Sequence, residues 1–112
     1  MVNKLTNAEF NENLRGNLVK TAKAVLHGEI GVILGSRKIQ SYRFDLASDF
    51  DPDFMLFVAV DSETDHLPVD EERANWSFEA LARKDVEISE VEAFWKQDIM
   101  VACQKLIARF EA

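Results

Sequence analysis

The sequence predicts an all-α protein, a small bundle of about four to five helices in one domain spanning residues 1–112. Three observations carry this expectation. Apolar residues recur at three- and four-residue spacing along most of the chain. Only two prolines and four glycines interrupt 112 residues. The last third carries a long apolar stripe without either. Hydrophobic residues make up 47% of the chain and include eleven aromatics, enough for a core and too many for a disordered segment.

The first helix is expected over 7–27. Thr6-Asn7-Ala8-Glu9 has the form of a capping box, with Thr6 as N-cap and Glu9 reaching back. Phe10, Leu14, Leu18, Ala22, Val25 and Leu26 then fall on one face, and Gly28 supplies the stop. The stretch Glu29–Gly35 has two glycines in its last five residues, which predicts a short helix or turn. Gly31 and Gly35 stand four apart and permit close helix contact, read here as internal packing and not as a membrane dimer motif. Ser36 is then the expected cap of a helix over 36–47 that carries Ile39, Tyr42, Phe44 and Leu46.

Asp51-Pro52-Asp53 combines an N-cap acid, proline at the first helical position and a second acid in the first turn. It predicts a helix over 52–62 that holds the apolar run Phe54–Val60. Such a run also fits a buried strand. The alternative is therefore an α+β fold with a short two-stranded sheet at 30–34 and 54–60. Residues 61–75 are polar, contain Pro68 and read as the main loop. Ser77 caps a helix with Phe78, Leu81 and Ala82. From about 85 to 111, Ile88, Val91, Trp95, Ile99, Ala102, Leu106 and Phe110 form the stripe, and the helix has the option of running back to Ser77.

A group of residues resembles a small bacterial family of uncharacterised proteins. They are Val25-Leu26-His27-Gly28-Glu29-Ile30-Gly31, Asp61-Ser62-Glu63-Thr64-Asp65-His66-Leu67-Pro68 and Trp76-Ser77. The likeness covers about residues 22–107. It implies a bacterial source and brings no activity or functional residue with it.

Charge is the most informative functional feature. The net charge is −7. Residues 1–43 hold seven bases and three acids, and residues 73–112 hold six bases and seven acids. Residues 44–72 hold ten acids and no Lys or Arg. That segment is either a solvated loop or a docking face for a basic partner. Duplex nucleic acid is not expected, because phosphates need clustered cations. The bases of the first third lack the aromatic platforms of single-strand binders. The longest apolar run is seven residues, far short of the roughly 20 that cross a bilayer, so no membrane partner is expected. One cysteine, Cys103, and no apolar signal core among the first residues lead to a cytoplasmic expectation.

Candidate chemistry centres on Asp61, Glu63, Asp65 and His66, with Asp70, Glu71 and Glu72 downstream. Acids at loop positions 1, 3, 5 and 12 counted from Asp61 partly match a calcium loop. His66 stands where that loop needs glycine, and Pro68 follows, so the match is rejected. Glu63-x-x-His66 has the spacing of a di-iron motif but occurs once. Cys103 reads as a small core residue. No nucleophile elbow, phosphate loop or dinucleotide fingerprint is present, so no catalytic residue, metal or cofactor is expected. Three readings follow in order. The first is a protein-binding module, an acidic inhibitor or immunity-type protein for a basic partner, using the seven residues just named. A second copy of the chain is a further partner. The second is a small-ligand or divalent-metal-binding bundle centred on 61–66. The third is an enzyme using these acids.

Overall fold

The computed structural model describes residues 7–111. Among them the chain forms five α-helices, one 3₁₀ segment and no strand. The helices are α1 (Asn7–Leu26), α2 (Val32–Ser41), α3 (Arg43–Leu46), α4 (Pro52–Thr64) and α5 (Phe78–Phe110), with the 3₁₀ turn at Asp70–Asn75. The all-α expectation holds. The two-stranded alternative does not, since 32–34 lie in α2 and 54–60 in α4. A lone pair of short strands is marginal in water, whereas Asp51 starts a helix locally by accepting a hydrogen bond from Asp53 N–H at 3.0 Å.

Helix α1 ends as its sequence requires. Gly28 takes a φ of +73°. Its N–H donates to Val25 O at 3.1 Å, and Glu29 N–H donates to Ala24 O at 2.9 Å. This bond pair closes a helix through a left-handed residue, which glycine adopts without steric cost. The Thr6 cap lies outside the described residues.

The second helix differs from expectation. It starts at Val32, and Ser36 is a fully buried residue inside it instead of a cap. Its N-cap, Gly31, offers no side chain. The capping group comes from α5: Glu92 accepts from the N–H of Val32 and, at 3.4 Å, from that of Ile33. A carboxylate at a helix N-terminus satisfies free donors and complements the helix dipole. Gly31 leaves room for it, because a Cβ there would collide with the Glu92 carboxylate. A Cβ at Gly35 would likewise collide with Val25 of α1. The two glycines therefore serve internal packing, as their spacing predicts. The expected 36–47 helix is divided: α2 closes at Ser41, and one turn, α3, follows Tyr42.

Four helices enclose the core. α2 packs on α4, and α1 packs on α5. Leu18, Ala22 and Val25 of α1 meet Val32 and Ile39 of α2, Phe54, Phe57 and Val60 of α4, and Ile99, Cys103 and Leu106 of α5. Phe54 and Phe110 close one end edge to face, with ring centroids 6.0 Å apart.

Helix α5 runs unbroken for 33 residues from its cap, Ser77, whose hydroxyl accepts from Ala80 N–H at 3.2 Å. No Gly or Pro intervenes, so nothing divides it. Its burial is unequal. All its buried residues, Ile99, Cys103, Leu106 and Phe110, lie in the C-terminal half. Ile88, Val91 and Trp95 are only half-buried, so the stripe is a core face at one end only. The molecule is correspondingly long, with extents of 47 × 37 × 25 Å.

Two substitutions test this account. Glu92→Ala should lower stability by about 1–2 kcal/mol in urea unfolding, the usual cost of a lost helix cap. The Ser36 hydroxyl is buried without a hydrogen-bond partner. Ser36→Ala should therefore leave the unfolding free energy in urea unchanged or raise it, by up to about 1 kcal/mol, because removing an unsatisfied polar group costs nothing in contacts.

Candidate functional site

The acidic segment has more structure than a loop. Asp61, Glu63 and Thr64 belong to the last turns of α4, Asp65 is its C-cap, and Asp70–Asn75 coil into the 3₁₀ turn. The expected loop over 61–75 thus shrinks to its middle. That middle is pinned: Leu67 and Pro68 are fully buried, and Thr64 bonds back to Val60 O at 2.6 Å. Asp70 enters the 3₁₀ turn with φ of +55°, a conformation that aspartate tolerates better than most residues. Phe54 and Phe57 anchor the segment in the core, but Phe50 points into solvent at 84% exposure and anchors nothing.

One cation organises the α4 C-terminus. That end carries Glu63 and no base, so the negative end of the helix meets negative side chains. Arg37 of α2 answers both. Its guanidinium donates to Thr64 O at 2.5 Å and Leu67 O at 3.0 Å, capturing carbonyls the helix cannot use. The same group pairs with Asp61 at 3.4 Å and Glu72 at 2.7 Å. Its side chain is 17% exposed, so these bonds form largely out of water, where they are strongest.

The seven candidate residues therefore divide. Asp61 and Glu72 are bound to Arg37. His66 pairs with Glu87 of α5, Nε2 to Oε2, at 2.7 Å. Glu63, Asp65, Asp70 and Glu71 are exposed and have no ion pair among the described residues. Beside them, Arg73 makes a two-pronged pair with Asp85 of α5 at 2.7 and 3.0 Å. The hydrogen bond from His66 holds the Glu87 carboxyl below its ordinary value, and that from Arg73 does the same to Asp85. The structure thus links the segment to α5 through Arg73 and His66, and to α2 through Arg37.

Two further acids of the segment, Asp51 and Asp53, sit at the opposite end of α4. Both receive Arg109 Nη1, at 2.8 and 2.9 Å. The Arg109 hydrogen bond holds the Asp51 carboxyl below its ordinary range, the Asp53 N–H adds to this, and partial burial opposes it. Sequence counting missed this role of Arg109, which lies more than fifty positions away. The signal available was only that Asp51 is a cap.

No three His, Cys, Asp or Glu side chains converge in a way that could hold a metal ion among the described residues. Asp61 and His66 point to different partners, Arg37 and Glu87. A groove of about 700 Å³ runs between α1 and the end of α5, lined by Arg15, Val19, Lys23 and Phe110, away from the acids. Cys103 is fully buried, and burial pushes its thiol up to about 12, which removes the nucleophilic thiolate at neutral pH. No helix among the described residues is long and apolar enough to cross a membrane. Comparison of the chain with protein-family models, curated proteins and solved structures gives no match.

Arg37→Ala should lower stability by about 2 kcal/mol, since it strands the Leu67 carbonyl and the Asp61 carboxylate together, while Thr64 O keeps the Leu67 N–H at 3.0 Å. Arg37→Lys should recover less than half, lacking the fork that reaches all four oxygens. Chemical denaturation of the three proteins checks this. Asp51 sets a pH dependence. Its carboxyl binds a proton less readily folded than unfolded, so its contribution is complete above the ordinary carboxylate range and is lost as pH falls through the folded value. Melting temperatures measured downward from neutral pH should drop below about pH 4, and less steeply for Asp51→Asn.

Proposed function

We infer that this protein is an acidic docking module of the bacterial cytoplasm that binds a basic protein partner, in the manner of an inhibitor or immunity protein that masks a cationic surface. One observation carries the reading. Glu63, Asp65, Asp70 and Glu71 stand exposed and unpaired on backbone fixed by Leu67, Pro68 and Arg37. Charges on a pinned frame present one geometry to a partner. Charges on a free tail average over many and favour solubility alone. The reduced state expected of a lone buried cysteine suits the cytoplasm, and the family resemblance suits a bacterial cell.

The acids would act chiefly before contact. Surface potential of one sign speeds encounter with the opposite sign, and salt screens it over about 8 Å at physiological strength. Asp61 and Glu72 contribute differently, because Arg37 already holds them. They set the shape of the frame.

The test is affinity capture from a bacterial lysate at low salt, with mass spectrometry, followed by association kinetics on the captured partner. The expected partner is basic and stoichiometric. The quadruple variant Glu63→Gln, Asp65→Asn, Asp70→Asn and Glu71→Gln should associate about tenfold more slowly and show a flatter salt dependence, with dissociation changed less. Equal association at low salt, or an acidic partner, defeats the reading.

A further inference from the structure

The N-terminal half of α5 shows solvent a row that the bundle does not use. Phe78, Ala82, Val86, Glu90 and Phe94 follow one another at four-residue spacing. All five are exposed; Phe78 reaches 85%, Val86 60% and Phe94 73%. Residues four apart form a ridge along a helix, inclined to its axis. Large apolar groups at both ends and the middle of such a ridge are costly to leave in water. The opposite face of the same turns, with Leu81, Ile88 and Val91, is half-buried. The ridge is thus a second apolar face on one helix.

Its order identifies what fits it. Reversed about Val86, the ridge nearly repeats itself: Phe78 takes the place of Phe94, Ala82 that of Glu90, and Val86 its own. A ridge with this property is complementary to a copy of itself turned end for end. The charges agree. Arg83 and Glu90 are both exposed, and neither side chain has an ion pair or hydrogen bond among the described residues. They lie three and four positions on either side of Val86. In an antiparallel pair centred there, Glu90 faces Ala82 of the other copy, and Arg83 next to that alanine comes within reach of the same carboxylate. Two-fold symmetry makes the pair twice.

We propose that α5 is the face of a homodimer, in which two copies cross antiparallel at Val86 with their four-residue ridges aligned one along the other. Phe78 of each copy packs on Phe94 of the other, and Arg83 pairs with Glu90 across the axis. Such ridges favour a crossing angle near −50°, which lets the two bundles lie on opposite sides of the contact. The acids at Glu63–Glu71 are not part of this ridge, so the inference is independent of the docking surface described above.

Sedimentation equilibrium of the full chain, from about 10 μM to 1 mM, reads the association directly. A concentration-dependent monomer–dimer equilibrium is expected. Val86→Glu sets two carboxylates against each other on the axis and should abolish the dimer, while circular dichroism, and the melting temperature at dilutions where wild type is monomeric, stay unchanged because the site is exposed. Arg83→Glu should weaken the dimer by about tenfold, and Arg83→Glu with Glu90→Arg should restore it, because the reversed pair is again complementary. Val86→Cys should cross-link two copies on oxidation, Ala82→Cys should not, and the buried Cys103 stays silent in both. A wild type that is monomeric throughout overturns the proposal. So does a dimer that survives Val86→Glu, or a double variant no tighter than Arg83→Glu alone.

Discussion

Helix α4 closes where a helix is least able to tolerate acid. Its last carbonyls lack internal partners, its dipole is negative there, and Asp61, Glu63 and Asp65 add carboxylates. The whole acidic end of the molecule depends on the guanidinium that α2 places against it. Arg37 neutralises two acids and binds two carbonyls at once, so Leu67 and Pro68 can stay buried and the chain can turn back toward α5. A lysine in that place would offer a point charge without the planar fork that bridges oxygens on three parts of the chain. The acids left over owe their fixed positions to the ones that Arg37 consumes.

The same pattern appears at the other end of α2. Gly31 has no side chain to give, so the helix takes its cap from Glu92. α2 is thereby fastened at its N-terminus to α5 by an acid and along its length to the α4 terminus by a base. The two unlike charges occupy the two places where the backbone lacks partners. Hydrogen bonds from charged groups to unpaired backbone contribute more than neutral ones. This explains how a helix of ten residues, too short to persist alone, holds the centre of the bundle.

What the sequence made legible was local. Asp51-Pro52, Ser77 and Gly28 announce their helix ends because the atoms that satisfy the backbone lie within three residues. The start of α2 was not legible, because its cap lies 60 residues away. Ser36 looked like the nearest substitute and is buried instead. The acidic segment was legible as composition, but not as geometry. Arg37 and Arg109 come from outside it, so a count over 44–72 sees ten free charges where the fold leaves several paired. Ile88 and Val91 mislead for a further reason. Periodicity reports which residues share a face and is silent on whether the fold covers that face along its whole length.

Helix α5 turns that last point into a statement about motion. One end is sealed in the core by Ile99, Cys103, Leu106 and Phe110. The other is clasped by the Arg73–Asp85 and His66–Glu87 pairs at the surface. Apolar burial resists opening far more than exposed ion pairs do. A single hydrogen-bonded rod therefore contains two zones of different opening free energy. Its first turns unzip from the Ser77 end while the last turns exchange their amide protons only when the whole bundle comes apart. Whatever settles on the first zone from outside acts as a clamp on that fraying and slows it without changing any bond in the core.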